Sequence, residues 1–253
     1  MLRSLNSLTP VSLDTLSAVR LMNRMDVKYA ASAELLGKLL DTCRDGFLVL
    51  DINGSRLLPY NSLYFDTDCL DMYMMHHNGH LNRFKVRTRE YMQSGECFLE
   101  VKMKDNHGRT RKKRCPIPKN MTDDFRSSDA AMGFVRERSS FDPDSLSPAL
   151  WTKFKRITLT DKGLSERVTI DTDIVFSNCR TGRDAALEGL AIIEVKQDRT
   201  KRSLMADKLR ALSIMPLGIS KYCIGTVLTD PDAKSNRFKE KIRILNKIKS
   251  EKI

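Results

Sequence analysis

Residues 82–91 read Asn-Arg-Phe-Lys-Val-Arg-Thr-Arg-Glu-Tyr, with a basic residue at every second position from 83 to 89. Side chains on a β-strand alternate between its two faces, so a strand here carries these cations on one face. The cations are Arg83, Lys85, Arg87 and Arg89. Like charges placed side by side repel one another, so the pattern indicates a face that meets a polyanion. The alternative is a basic outer face covered by water.

The same alternation recurs in other segments that read as strands. Each carries charged residues on one face and apolar residues on the other: Arg24/Asp26/Lys28, Glu100/Lys102/Lys104, Arg167/Thr169/Asp171 and Glu194/Lys196 are the charged sets. If the apolar faces pack against helices, the charged faces line the inside of a closed sheet. A barrel of about eight strands is just wide enough inside for side chains or a small ligand. We therefore predict an α+β fold, an antiparallel β-barrel of about eight strands with helices packed outside.

Turn and capping signals predict the remaining elements. Ser32 and Ser203 are N-caps for helices that end near Cys43 and Leu212, and a further helix is expected around 130–138. The predicted strands span 21–29, 56–66, 82–91, 96–104, 153–160, 166–176, 190–196 and 218–228, with a basic segment at 109–117.

Three histidines stand close together in the connector after the second strand. His76, His77 and His80 have spacings that could bind a metal on a helix. The dipeptide Asn78-Gly79 between them favours a turn. The sequence therefore predicts a short helix and a turn over the connector 68–80, with the three histidines in a surface loop rather than at a metal site.

The overall composition indicates an anionic partner. The chain has 44 Lys and Arg against 32 Asp and Glu, a formal net charge of +12. Nucleic acid, phosphate compounds and an anionic membrane surface all fit this excess. The six cysteines form no Cys-x-x-Cys pair and are expected to be reduced. The N-terminus lacks the apolar stretch of a secretory signal and no window reads as a membrane span, so a cytoplasmic protein is expected.

Cations facing the inside of a barrel need a counter-charge, because buried unpaired charges are costly. Phosphate chains would supply it, since Arg offers a fork to phosphate oxygens and Lys a point charge. Glu100 and Glu194 are candidate ligands of a divalent metal that bridges phosphate oxygens, and ion pairing with neighbouring lysines is the alternative. The absence of a G-x-x-x-x-G-K loop and of a Ser or Cys nucleophile pattern favours electrostatic over covalent catalysis.

Seven short motifs, taken in order, resemble the vacuolar transporter chaperone (VTC) domain of the triphosphate tunnel metalloenzyme superfamily, in its bacterial form. The resemblance covers about residues 20–228. The motifs are Asn23-Arg24-Met25-Asp26-Val27-Lys28-Tyr29, Tyr64-Phe65-Asp66-Thr67, Lys85-Val86-Arg87-Thr88-Arg89, Leu99-Glu100-Val101-Lys102, Arg167-Val168-Thr169-Ile170-Asp171-Thr172, Ile193-Glu194-Val195-Lys196 and Ser220-Lys221-Tyr222.

The resemblance implies a tunnel-shaped barrel that makes polyphosphate from ATP with a divalent metal, Mn²⁺ or Mg²⁺. It implies phosphate contacts by Lys28, Lys85, Arg87, Lys102, Arg167 and Lys221, less securely by Lys112 or Arg114, and a metal contact by Glu194. With the strand patterns, the full set of expected phosphate-binding residues is Lys28, Arg83, Lys85, Arg87, Arg89, Lys102, Lys112, Arg114, Arg167, Lys196 and Lys221. Of these, Arg87, Lys102 and Arg167 are expected to be catalytic, and the expected metal ligands are Glu194 and Glu100.

The chain departs from the superfamily pattern at its first strand. The superfamily opens with Glu-x-Glu-x-Lys, whereas Arg24 and Asp26 stand at the two Glu positions here. Fewer carboxylates favour a polymerase over a triphosphatase or a cyclase. Hydrolysis of inorganic or nucleoside triphosphate stays open as an alternative, as does a non-catalytic module that binds polyphosphate.

The expected ligands are therefore ATP and polyphosphate or triphosphate. Nucleic acid is not expected, because a tunnel is too narrow for a duplex. A membrane partner would be a separate protein, and the oligomeric state is left open. The expected organisation is an N-terminal extension (1–20), a catalytic tunnel-barrel domain (21–230) and a basic C-terminal helix (231–253) whose apolar stripe packs on the body.

Overall fold

The computed structural model describes residues 1–17, 24–107 and 109–250. The helices are α1 (Leu2–Asn6), α2 (Leu13–Ser17), α3 (Ala33–Thr42), α4 (Asp71–His77), α5 (Asp129–Arg136), α6 (Leu204–Ala211), α7 (Lys221–Thr229) and α8 (Lys239–Ser250). The strands are β1 (Thr9–Val11), β2 (Arg24–Ser32), β3 (Phe47–Leu50), β4 (Leu58–Asp66), β5 (Arg83–Tyr91), β6 (Glu96–Lys104), β7 (Thr110–Pro116), β8 (Ser147–Asp161), β9 (Glu166–Asn178), β10 (Asp184–Ala186) and β11 (Leu190–Asp198).

Eight antiparallel strands form the main sheet in the order β2-β11-β9-β8-β4-β5-β6-β7. The short strands β3 and β10 pair with parts of the inner strands β8 and β9, and β1 pairs with β3. The sheet curls into a half-barrel whose end strands, β2 and β7, are not paired with each other in the described part of the chain. The predicted α+β fold with an antiparallel barrel-like sheet is thereby confirmed. Residues 21–23 of the first predicted strand and the side chain of Arg24 lie outside the described residues.

The convex face of the sheet carries the apolar residues of each strand, as predicted. On one half, Val168, Ile170 and Ile193 pack under α3 and α6. On the other half, Val86 and Val101 belong to a second cluster that includes side chains of α5. Alternation then turns the charged residues of the same strands to the concave face.

The predicted strand over 218–228 is wrong, because this segment forms helix α7. The Ser220 hydroxyl accepts a hydrogen bond from the Cys223 N–H and caps the helix. The helix lies inside the curl, where a Cβ on Gly225 would be 2.5 Å from Phe176 and 2.6 Å from Leu150. The β-branched and aromatic residues that favour a strand are here buried around a helix, so tertiary packing overrides their local preference.

The histidine segment also differs from the prediction. His76 and His77 lie in α4, and the side chain of His77 is 3 % exposed. The buried Asp66 carboxylate accepts from backbone N–H groups of the first turn of α4 and so stabilises its start. Asn78 and Gly79 end this helix (Gly79 has a φ of +75°), so the predicted short helix and turn are confirmed, whereas the surface loop predicted for the histidines is wrong for His76 and His77. Only His80 of the three lies exposed after the helix.

The two terminal segments pack on the body of the protein. Arg56 donates hydrogen bonds to the carbonyls of Leu5, Asn6 and Leu8, and β1 pairs in parallel with β3. Phe238 and Leu245 of the C-terminal segment are buried in a core cluster with residues of α7, as its apolar stripe predicted. Within the described residues, none of the helices combines the length and the hydropathy that crossing a membrane requires.

Candidate functional site

Strand register brings the cations of neighbouring strands side by side on the concave face. Lys85 pairs with Lys102 across β5 and β6, and Lys102 pairs with Lys112 across β6 and β7. Lys102 also lies within electrostatic range of Lys28 and Glu194, which belong to strands at the far side of the sheet order. The sheet therefore curls around this face, which we call the cationic groove.

Lys102 makes no hydrogen bond or ion pair with any residue in the described ranges, although its side chain is half-buried. Burial lowers the pKa of its ammonium to about 7; Glu194 opposes this shift and Lys85 and Lys28 add to it. Lys85 donates to the Ser220 hydroxyl at 2.7 Å, and burial lowers its pKa as well. Neither of these two lysines forms an ion pair with a carboxylate of the described residues.

Glu100 lies in the next row of the groove and is 1 % exposed. Arg87 donates to it through Nη2 at 2.6 Å and Nε at 2.8 Å, and Lys112 lies 2.9 Å from its other oxygen. Burial alone would raise the pKa of Glu100, but the charges of Arg87, Arg89 and Lys112 outweigh it and hold the pKa well below its usual range. The carboxylate is therefore ionised and fixes the Arg87 guanidinium in place.

Glu194 forms a second anion centre on the opposite wall. Its oxygens lie 2.6 Å from the Lys28 ammonium and 3.2 Å from that of Lys196. Burial opposes ionisation, yet Lys196 and Lys28 lower the pKa of Glu194 well below the usual value. Both glutamates expected to bind metal are thus engaged by cations, the arrangement that ion pairing alone predicts.

Asp171 anchors a third group, of which the sequence patterns missed Arg156. Arg156 donates to its two oxygens at 2.6 and 2.8 Å, and Lys221 at the start of α7 donates to it as well. The alternation of Arg156 with Ile157 was visible in the sequence. Lys153 and Lys155 are exposed on the other side of the same strand, so the segment carries charges on both faces and shows no single charged face.

The remaining cations of β5 and β7 occupy different surroundings. Arg89 is buried, bonds the Ser62 hydroxyl at 3.0 Å and lies over the rings of Tyr60 and Phe154. Arg114 is exposed and stacks on Phe98. Arg83 donates to the His80 carbonyl at 2.8 Å, at the end of the groove nearest α4. Arg89 therefore has a packing role beside any contact with a ligand.

Arg167 and Lys196 pair with each other at the opposite end of the groove. The Arg167 guanidinium donates to the carbonyl of Leu16 in α2. Leu16 is buried, and its hydrogen bond with Arg167 places the N-terminal segment against this end of the groove. Arg167 is thus separated along the strands from the Lys85–Lys102–Lys112 row, whereas Arg87 lies next to it.

A divalent metal fits this site only together with a phosphate ligand. No group of three or more His, Cys, Asp or Glu residues suited to a metal ion occurs within residues 1–17, 24–107 and 109–250. Magnesium-like ions, however, are commonly held by one or two carboxylates plus substrate phosphates. Glu194, with Asp26 on the neighbouring strand opposite Lys196, supplies carboxylates of that kind. The donor set suits an ion that arrives with its phosphates.

The curled antiparallel half-barrel matches the triphosphate tunnel fold. The family model of the VTC domain matches residues 23–229, so the chain belongs to the VTC domain family. No curated protein matches it.

Solved structures share the fold at low identity. A Hippeastrum protein named as a candidate adenylyl cyclase, with a dominant triphosphatase activity, is 16 % identical with a TM-score of 0.50, covering 81 % of this chain and 96 % of its own. A candidate adenylate cyclase from Vibrio parahaemolyticus is 12 % identical with a TM-score of 0.44, covering 81 % and 99 %. At these identities the likeness concerns the fold alone.

Proposed function

We propose that the cationic groove binds the phosphate chain of a nucleoside triphosphate or of polyphosphate and catalyses metal-dependent phosphoryl transfer, making polyphosphate from ATP. The observation that carries the proposal is the row Lys85–Lys102–Lys112, three like charges on adjacent strands. Like charges placed directly opposite each other destabilise a sheet. A phosphate chain lying across this row would replace that repulsion with charge-assisted hydrogen bonds.

The residues around the row suit stabilisation of a phosphoryl group in transfer. Arg87 presents a guanidinium already oriented by Glu100, so little side-chain freedom is lost when a phosphate binds. Lys102 and Lys85 supply charge that no ion pair within the described residues engages. A divalent ion at Glu194 would neutralise charge on the phosphates and help to align the transferring group. Catalysis is then positioning and electrostatics, as phosphoryl transfer requires.

Arg167 and Lys196 extend the cationic lining towards α2, and Lys221 and Lys28 extend it along the opposite wall. A lining longer than one small anion supports a chain as the ligand. The family membership supports the same ligand class. Cations of the groove therefore act together as phosphate contacts, with Arg87 and Lys102 nearest the reacting group.

Incubation of the purified protein with ATP, a pyrophosphate primer and Mn²⁺ or Mg²⁺ tests the proposal. We expect a product that exopolyphosphatase degrades, with loss of ATP and of product when the metal is chelated. Release of phosphate without chain growth would contradict polyphosphate synthesis and indicate triphosphate hydrolysis instead. Tight binding of polyphosphate without turnover under any metal would replace both by a binding module.

A further inference from the structure

Three cations from separate elements converge at the end of the groove beside α4. Arg83 pairs directly with Lys104 across β5 and β6, which again places like charges opposite each other. Lys241 of α8 lies over the ring of Phe238, 5.8 Å from its centroid. Within the described part of the chain, none of the three forms an ion pair with an Asp or Glu.

The side chain of His76 lies within electrostatic range of all three cations. Burial and the charges of Lys85, Arg83, Lys241 and Lys104 lower the pKa of this imidazole to about 2, so that it is neutral. The His76 ring lies 6.2 Å from that of Phe238, the ring over which the Lys241 ammonium sits. The cluster therefore forms one patch around a neutral histidine.

The patch is continuous with the cationic groove. The Lys241 ammonium lies 3.8 Å from the position that a Cβ would take at Gly218, two residues before the hydroxyl of Ser220 that Lys85 bonds. Along β5, Arg83 stands two residues from Lys85 and four from Arg87, a span of about 13 Å in an extended strand. A chain bound at Arg87 and Lys85 that extends further along β5 reaches Arg83.

The acidic residue next to the patch is engaged elsewhere. Asp105 follows Lys104, and its Oδ1 accepts from the backbone N–H groups of His107 at 3.0 Å and Arg109 at 2.8 Å. This carboxylate thus stabilises the turn between β6 and β7 and forms no ion pair with Lys104. Since no Asp or Glu of the described residues pairs with the patch, an external anion would supply its counter-charge.

We propose that Arg83, Lys104 and Lys241 form an outer subsite that binds the distal phosphates of an inorganic polyphosphate chain whose first phosphates lie in the groove. The inference rests on the proposed function and gives it a second binding position, to which the C-terminal helix contributes. Polyphosphate is favoured over nucleic acid because the patch leads directly into the narrow row of Lys85 and Lys102. Polyphosphate can follow that path because it carries no sugars or bases, for which a nucleic acid would need additional space.

Calorimetric titration with two probes tests the subsite: tripolyphosphate, and a long polyphosphate of defined length, at one fixed ionic strength. The test variant is Lys104→Gln/Lys241→Gln. The control variant, Lys239→Gln/Arg243→Gln, removes the same number of charges from exposed positions of α8, the helix that carries Lys241. Melting curves establish that both fold.

We expect the wild type to bind the long chain more tightly than tripolyphosphate. The test variant should lose at least about tenfold in affinity for the long chain and less than about twofold for tripolyphosphate. The control variant should match the wild type with both probes. This pattern would support the subsite.

Other outcomes overturn the inference in distinguishable ways. If the wild type binds tripolyphosphate but gains nothing from the longer chain, or if the test variant loses both probes equally, the outer subsite fails and the proposed function stands. If the wild type binds neither probe, both fail. If a single-stranded oligonucleotide competes as well as polyphosphate and the test variant loses it equally, the patch is a nucleic-acid surface instead.

Discussion

Arg87 and Glu100 face each other across β5 and β6, and two guanidinium nitrogens donate hydrogen bonds to one carboxylate oxygen, at 2.6 and 2.8 Å. Replacing Glu100 by Gln leaves Arg87 and Lys112 without their anion. We expect the free energy of unfolding to fall by about 3 kcal/mol, as when one partner of a buried pair is removed. Urea unfolding in phosphate-free buffer measures this. The control is Glu96→Gln at the exposed start of β6, and an unchanged value for Glu100→Gln would refute the role of the pair.

Lys102 predicts a pH dependence of ligand binding. Its pKa is about 7 in the free protein, and bound phosphates would raise it. Below pH 7 the ammonium is already charged and affinity for tripolyphosphate is greatest. As the pH rises through 7, binding must take up a proton, so affinity falls by up to about tenfold per pH unit. A Lys102→Arg variant stays charged and should lack this component, whereas titration of tripolyphosphate itself is common to both proteins. Identical pH profiles would contradict the prediction.

Glu194 separates metal-dependent turnover from phosphate binding. Glu194→Gln removes the anionic partner of Lys28 and Lys196 and the carboxylate proposed for the metal. Turnover should fall by at least about tenfold. Binding of tripolyphosphate in the presence of a chelator should be unchanged or tighter, because the groove becomes more cationic. Glu188→Gln, at an exposed residue before β11, is the control. Full activity in Glu194→Gln would exclude the residue from the site.

His76 predicts a dependence of stability on pH. The buried imidazole has a folded pKa of about 2, against 6.5 for an unperturbed histidine. Below about pH 6.5 the imidazole is protonated in the unfolded chain but not in the folded protein. The free energy of unfolding is therefore greatest above this pH and decreases as the pH falls. The contribution is at most about 1.4 kcal/mol per pH unit. His76→Gln should flatten the profile between pH 7.5 and 5 in urea unfolding, and His80→Gln should keep it. Parallel profiles for His76→Gln and the wild type would be inconsistent with this assignment.

Gly225 allows α7 to pack closely against Phe176 and Leu150 inside the half-barrel. A methyl group there would lie 2.5 Å from a Phe176 carbon and 2.6 Å from a Leu150 carbon. We expect Gly225→Ala to destabilise the protein by about 1–3 kcal/mol through overpacking. Gly133→Ala in α5 is the matched control: it meets nothing within 4 Å and should stabilise by about 0.5–1 kcal/mol. Thermal melts distinguish the two, and equal shifts would show that α7 is not tightly seated.

The parts of the structure that were predictable are those with a strict period. Arg83 to Arg89 and Glu100 to Lys104 alternate without interruption, and β5 and β6 form as expected. Arg156 escaped notice because Lys153 and Lys155 place charges on the other face of the same strand, so no single charged face stands out. The segment of α7 was misjudged because most of its residues are buried, which leaves little helical pattern, and Ser220 was the cue that could have corrected it.

Which charges pair with which could not be predicted at all. Alternation shows that Glu100 and Lys102 share a face, but not that Glu100 would be held by Arg87 and Lys112 while Lys102 stays without an ion pair among the described residues. That outcome depends on the curl of the sheet, which brings Lys102 of β6 towards Glu194 of β11. Curl and stagger are properties of the assembled sheet and leave no local mark in the sequence.

The lysine row of the groove also bears on how the protein behaves at the bench. A ligand that binds only the folded state raises the free energy of unfolding by about 2.7 kcal/mol when its concentration is a hundred times its dissociation constant. For a groove in which Lys85, Lys102 and Lys112 adjoin, phosphate, sulfate and carried-over polyphosphate are all candidates for that effect. Melting temperatures taken in phosphate buffer and in Tris should therefore differ. The stability of this protein is a joint property of its chain and of the anions dissolved around it.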